Sequence, residues 1–336
     1  MLNPLEFQSI VGAVVYIVQD GFRIDSISKT YGLRMIPRHI RYLLTVAEYR
    51  NFTRAADSLH ISQPALSQQI RQLENDLGGQ LFDRSGRVVR LTDFGSIYVE
   101  YARRALLELE AGQRALHDVR DLSRGQLRLA FAPTFTEYLV APAVEHFHST
   151  YPNIVIDMME MSLEAIEGGL SEDRIDVAIG FTDIRSDDIE TEALFLERIT
   201  LVVGDNHPVA AQDAPVVPAQ LAALPLALLG GQFVSRFYID SYFESQGIKP
   251  SVALQANSIS ALLKIVRGGK VATLLPGALH YEHRDLKYIP LEPGFPARTV
   301  ALLRRKGAYR TAAAAAFSAT LKEMLETGAL SSLRAE

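Results

Sequence analysis

Residues 51–77, NFTRAADSLHISQPALSQQIRQLENDL, read as two helices joined by a tight turn. Ser62 is placed to cap the second helix, and Pro64 falls in its first turn, where a missing N–H costs nothing. Within it Leu66, Ile70, Leu73 and Leu77 recur at helical spacing and form one buried stripe. Pro64, Ser67, Gln68 and Arg71 then share the opposite face, short and polar at its N-terminal end, as a helix entering a DNA major groove requires. Upstream, His39 to Tyr49 carries Ile40, Leu43, Leu44 and Ala47 at helical spacing, and Thr53 is the expected cap of a short helix through Leu59.

After Gly78 and Gly79, Leu81 to Thr92 predicts a β-hairpin turning at Ser85-Gly86, with arginines on both sides. A basic hairpin beside such a helix is a wing, suited to phosphates or to the adjacent minor groove. Residues 93–121 are continuously helical in pattern. Tyr98, Ala102, Ala105, Leu109, Gly112, Leu116 and Val119 alternate steps of four and three, which predicts a heptad seam with a second copy. Packing on its own domain is the plainer alternative.

Residues 122–126 read as a hinge, and the chain beyond it alternates β and α. Strands are expected at Leu127–Ala132, Ile154–Met161 and Ile175–Phe181, with helices between them, as a parallel doubly wound sheet. A second unit begins near Leu196, with strands at Thr200–Val203 and Pro225–Leu229 and a helix at Ser258–Arg267; Arg298–Arg304 and Thr311–Glu326 close the fold. The organisation is therefore multidomain, α+β with α/β. A winged helix-turn-helix spans 35–92, a linker helix 93–121, effector lobe I 127–195 and 296–327, lobe II 196–295, and a tail 328–336. Two such lobes with a cleft between them make a ligand clamp.

The chain has 336 residues, 48% hydrophobic and 22% charged, the composition of a globular protein with more than one core. The formal charge of -5 is unevenly spread. Met35 to Thr92 carries eight arginines against five acids, residues 1–34 are neutral, and the remainder is acidic, so a basic head for an anionic polymer precedes an acidic body. With no cysteine, thiolate metal sites and thiol redox sensing are excluded. The apolar run Ile10–Val18 is too short to span a bilayer and lacks a cleavage pattern, so a cytoplasmic protein with no membrane partner is expected. Catalysis is not expected: His146 with His148, and His280 with His283, form neither a triad nor a metal set, and there is no phosphate loop or nucleophile elbow. No cofactor is expected.

Phe52-Thr53-Arg54-Ala55-Ala56, Leu59-His60-Ile61-Ser62-Gln63-Pro64-Ala65-Leu66-Ser67 and Leu81-Phe82-Asp83-Arg84 together resemble the LysR-type transcriptional regulators. The resemblance begins at Met35, the expected functional start, and leaves the extension 1–34 without a counterpart. It implies a winged helix-turn-helix, a dimerising linker helix and an effector domain resembling periplasmic binding proteins. The implied partners are double-stranded operator DNA, a small-molecule effector and a second copy. A homotetramer, and RNA polymerase if the protein activates, complete the set. Carried onto this sequence, it places Gln63, Pro64, Ser67 and Gln68 at base edges and Arg54, Arg71, Arg84 and Arg87 near the backbone, with the capping Ser62 also in the DNA-binding set. Many relatives have arginine where Gln68 stands.

The effector half is similar to cyanate-responsive activators within that family, at Pro133-Thr134-Phe135-Thr136, Ala256-Asn257-Ser258-Ile259-Ser260-Ala261, Thr273-Leu274-Leu275-Pro276 and Leu302-Leu303-Arg304-Arg305-Lys306. Thr134 and Thr136 follow the first strand, Ser162 follows the second, and Asn257, Ser258 and Ser260 open a helix in lobe II. Phe135 and Phe181 are expected to line the same cleft. Helix N-termini converging on a cleft suit a small anion such as cyanate, while simple capping explains any one of these hydroxyls equally well.

Overall fold

The computed structural model describes residues 38–86, 88–118, 122, 125–212 and 214–330, the side chains of 113–118 apart. The expectations for residues 1–34, Met35, Arg87, Val119 and the end of the tail lie outside them. The chain divides into two units after Gln113.

In the first unit α1 (Arg38–Tyr49), α2 (Phe52–Ser58) and α3 (Gln63–Leu77) enclose Leu43, Val46, Ala55, Leu66 and Ile70, which are completely buried. Helix α3 starts where its sequence demands: the Ser62 hydroxyl accepts the Ala65 N–H at 3.4 Å, and Gly78 ends the helix at φ 71°. The cap of α2 is Asn51 rather than Thr53. Its side-chain oxygen accepts the N–H groups of Thr53 and Arg54 at 2.9 and 3.0 Å, because Asn51 holds the extended backbone and Thr53 already lies in the first turn. The wing pairs β1 (Phe82–Asp83) antiparallel with β2 (Arg90–Leu91).

Helix α4 (Asp93–Asp118) follows at once, the Thr92 hydroxyl accepting the Gly95 N–H at 2.9 Å. A Cβ at Gly95 would collide with the Leu81 carbonyl oxygen, so the close approach of helix to wing requires glycine there. The seam expected along α4 divides in two. Ala102 is buried in the core of its own unit with Val99 and Leu106, and Tyr98 packs beside it, while Ala105, Leu109 and Gly112 face outward.

The second unit opens with β3 (Gly125–Phe131), a 3-10 turn at Pro133–Glu137, α5 (Val140–Thr150), β4 (Ile154–Glu160), α6 (Leu163–Ser171), β5 (Val177–Phe181) and β6 (Ile189–Glu197). Lobe II contains β7 (Ile199–Gly204), α7 (Pro218–Ala223), β8 (Pro225–Leu229), α8 (Val234–Ser245), β9 (Ser251–Ala256), α9 (Ile259–Val266), β10 (Thr273–Pro276) and β11 (Leu286–Ile289). The chain then returns through β12 (Arg298–Arg305) to α10 (Ala312–Thr327), capped by Thr311. Lobe I is one sheet in the order β4-β3-β5-β12-β6. Strands β3, β4 and β5 are parallel, but β12 runs antiparallel to both its neighbours, so the sheet is mixed and not the wholly parallel one expected. The returning strand enters from the other lobe, which reverses its direction. In lobe II, β8 and β9 are parallel, and β10 and β11 flank β7 antiparallel.

The two lobes share one apolar core. Phe131, Phe135 and Phe181 of lobe I pack in the same cluster as Ala227, Phe233, Ile259 and Leu262 of lobe II. Where the chain crosses, Glu197 at the end of β6 pairs with Arg298 at the start of β12. Both are almost wholly buried, at 1% and 3% exposure. Tyr138 donates to Glu197, Arg298 donates to the Ser235 hydroxyl of lobe II at 3.1 Å, and its guanidinium lies 4.2 Å from the centre of the Phe181 ring. Replacing Arg298 alone with methionine leaves a buried carboxylate uncompensated. Urea unfolding is expected to show a loss of about 3–5 kcal/mol, most of it recovered when Glu197→Leu is added.

Candidate functional site

The N-terminal end of α3 presents Ser62, Gln63, Pro64 and Gln68 to solvent, with Arg71 one turn further on the same side. Ser67, expected on this face, is only 8% exposed and lies at its covered edge. Arg54 is exposed at the start of α2, its guanidinium 5.6 Å from the Tyr49 ring centre. Four side chains able to hydrogen-bond with bases or phosphates, Gln63, Gln68, Arg71 and Arg54, are therefore open on two consecutive helices.

Arg84 has a partner within the unit. It donates to Glu74 of α3 at 2.8 Å and lies 4.8 Å over the Phe52 ring of α2. The other oxygen of Glu74 accepts the N–H groups of Leu81 and Phe82 at 3.0 and 3.3 Å. One carboxylate thus fixes the wing to the helix, and Arg84 serves that joint before any phosphate. Sequence reading missed Glu74 because it counts as one more charge on a polar helix face. At the wing tip, Asp83 accepts from the Ser85 N–H and hydroxyl at 2.9 and 2.7 Å, which holds its carboxyl below the usual carboxylate range.

In the effector unit Thr134, Phe135 and Thr136 lie in the 3-10 turn rather than at an α-helix start. Phe135 is wholly buried against Phe181, ring centres 5.2 Å apart, and both lie in the core shared by the lobes. The Thr134 hydroxyl is buried and has no hydrogen-bond partner among the described residues. The remaining hydroxyls do not converge as expected. Thr136 donates to Glu160 at 2.7 Å, and Ser260 donates to Glu137 at 3.1 Å across the lobes. Ser162 and Ser258 each accept an N–H of their own helix at 3.3 Å, and Asn257 is exposed.

Glu137, which the sequence did not mark, is the centre of this seam. It also meets His283 Nε2 of lobe II at 3.3 Å; Arg267 approaches the other ring nitrogen at 3.2 Å and pairs with Asp285. Tyr288 stands near these charges with a buried hydroxyl that, like that of Thr134, has no partner among the described residues. Burial raises its pKa above the ordinary phenol value, so it remains a donor. His146 and His148 are both exposed on α5. No group of three metal-ligating side chains, and no helix long and apolar enough to cross a membrane, occurs among the described residues.

Residues 37–96 match the family described as "Bacterial regulatory helix-turn-helix protein, lysR family", and residues 120–326 match "LysR substrate binding domain". The chain belongs to the LysR family. This LysR-type protein is 31% identical over 273 residues to the hydrogen peroxide-inducible genes activator of Pectobacterium carotovorum subsp. carotovorum, covering 80% of this chain and 90% of that one. It is 33% identical over 277 residues to the HTH-type transcriptional regulator CatR of Pseudomonas putida, with 80% and 93% covered. HinK of Pseudomonas aeruginosa, a LysR family transcriptional regulator of known structure, matches with TM-score 0.53 and 27% identity over 86% of this chain and 97% of its own. These relatives are regulators, not enzymes, and the LysR-type chain is a DNA-binding transcriptional regulator. None of the three is named for cyanate, so the narrower resemblance gains no support from them.

The Glu74 joint is testable without DNA. Glu74→Ala leaves two N–H donors and a guanidinium unpaired at a site where the carboxylate side chain is 10% exposed. A stability loss of about 1–3 kcal/mol is expected. Limited proteolysis should then cut the wing near Ser85 faster than it cuts α3.

Proposed function

We propose that α3 reads the operator through Gln63 and Gln68, that Arg54 and Arg71 hold the flanking phosphates, and that a second copy docks along α4. The regulator then works in the cytoplasm as a dimer or dimer of dimers, meeting RNA polymerase if it activates. The dimer reading rests on one exposed stripe: Phe94, Ile97, Tyr101 and Leu109 lie on the outer face of α4 at 42%, 61%, 63% and 37% exposure. Apolar side chains that open on one helix face mark a protein interface.

The observation that carries the DNA reading is the exposure of Gln68 beside the capped start of α3. A glutamine there pairs with adenine through its N6 and N7 edge, where arginine would choose guanine. Gln68→Arg is therefore expected to move the selected sequence from adenine to guanine at one position per half-site, a change of about 1–3 kcal/mol in discrimination. Selection from a randomised duplex library reads it directly. An unchanged base preference removes Gln68 from the reading face.

For the effector, the buried Thr134 hydroxyl beside Phe135 and Phe181 supports a small organic ligand with an apolar body and one hydrogen-bonding group. Cyanate, the ligand implied by the narrower resemblance, would meet Glu137 and Glu160 at the hydroxyls it needs. A thiol response of the kind that peroxide could elicit is closed to a chain with no cysteine. Thermal shift with cyanate, azide, bicarbonate, benzoate and benzyl alcohol separates these readings. The aromatic ligands are expected to stabilise the wild type, by about 2.7 kcal/mol at a hundred times Kd, and to lose most of that effect in Thr134→Val. Stabilisation by cyanate alone would return the anion reading.

A further inference from the structure

Two grooves border the wing. The one against α3 holds Glu74 and Asp83 together with Arg71 and Arg84, so its charges are matched. The other lies against α1 and α4. Its floor is apolar, with Val46, Val89 and Leu91, and its rim carries Arg50, Arg90 and Arg103 with no acid among the residues that line it. The three arginines come from three elements: Arg50 closes α1, Arg90 belongs to β2, and Arg103 projects from α4. All three are exposed. Arg90 stands across the strand pair from Asp83, whose charge it feels; Arg50 and Arg103 make no ion pair among the described residues.

Arg50 is also held in a backbone conformation that arginine rarely adopts. Its φ is 50°, in the left-handed region where glycine is far cheaper, and its carbonyl accepts the Val89 N–H at 3.2 Å. Strain of this kind persists where the surrounding structure over-determines it, and such positions concentrate at functional sites. An arginine at that corner places a guanidinium on the rim that no side chain from the neighbouring helical positions supplies.

We propose that this groove is a second binding site for the DNA sugar-phosphate backbone, in which Arg50 and Arg103, assisted by Arg90, hold phosphates of the duplex outside the segment read by α3. Guanidinium groups suit phosphate oxygens through paired N–H donors, and the apolar floor suits the faces of deoxyribose rings. Such contacts position the protein and add affinity without selecting sequence. An acidic, apolar peptide would fit the same rim chemistry. The DNA backbone is favoured because the groove adjoins the wing of a DNA-binding unit, and the wing pairs directly into its wall through Val89.

The proposal rests on DNA binding by the helix-turn-helix, which the Gln68 variant tests separately. Its own test uses the full-length chain and a 40-base-pair duplex of random sequence, with affinity measured by fluorescence anisotropy at several salt concentrations. Arg50→Ala/Arg103→Ala is expected to weaken binding and to lower the slope of log K against log salt by about 0.9 for each phosphate contact removed. Base selection should not change. The charge-retaining pair Arg50→Lys/Arg103→Lys should keep most of the slope. Arg50→Gly, which relieves the left-handed backbone, should melt no lower than the wild type and still bind less tightly. An unchanged slope in the double alanine variant overturns the proposal. So does unchanged DNA binding with loss of transcription in vitro, which would give the groove to a protein partner.

Discussion

A buried ion pair sets the terms for the effector unit. Taking Glu197 and Arg298 out of water is costly, and the cost is offset by the groups that engage the pair from several sides. Tyr138 donates to the carboxylate from the end of the turn that carries Thr134, Ser235 accepts from the guanidinium in lobe II, and Phe181 lies beneath it. These groups stand where the chain passes between lobes, so the pair cannot be undone without moving the crossover. The turn, the apolar seam and the second lobe are therefore referred to one fixed point. A ligand that shifts Phe135 or Phe181 acts on a residue adjoining that point.

The DNA-binding unit was legible in the sequence because its signals are local. The cap at Ser62, the left-handed stop at Gly78 and the apolar stripe of α3 each depend on residues within a few turns of one another. Even its error was local: Asn51, two residues earlier, outcompetes Thr53 as a cap because its short side chain reaches two N–H groups from an extended backbone. Strand β6 escaped because Glu190 and Glu192 interrupt it and read as solvent. Their partners, Arg304 at 3.3 and 2.9 Å, Lys322 and Arg310, lie more than a hundred residues away. Glu197 with Arg298, and Glu137 with His283, were hidden for the same reason.

The candidate effector site shows a different limit. A serine or threonine before a helix can cap it or bind a ligand, and the sequence pattern is identical in both cases. Ser162 and Ser258 cap. Thr136 and Ser260 are taken by carboxylates, and Thr134 remains buried and without a partner among the described residues, as do Thr273 and Tyr288. What separates the cases is where the carboxylates of Glu137 and Glu160 arrive, which only the assembled sheet determines. With those carboxylates on Thr136 and Ser260, a bare anion would meet an acceptor and not a free donor at either hydroxyl.

Energy favours the same direction. The lobes are joined at the seam by an apolar core and by a few bonds to Glu137, each contributing about 0.5–1.5 kcal/mol net. A ligand that switches the seam acts against that shared core and the Glu197–Arg298 pair as well as against these bonds. A full switch, from one part in a hundred to ninety-nine, needs a differential affinity of about 5.5 kcal/mol. A three-atom anion has a total binding energy of at most about 4.5 kcal/mol, at a ceiling of about 1.5 kcal/mol per heavy atom. At any ligand concentration below molar it falls short even if it binds one state alone. A ligand of ten heavy atoms has the margin, provided that it gains apolar contact from side chains such as Phe135, Phe181 and Ile259, which are packed together in the core between the lobes.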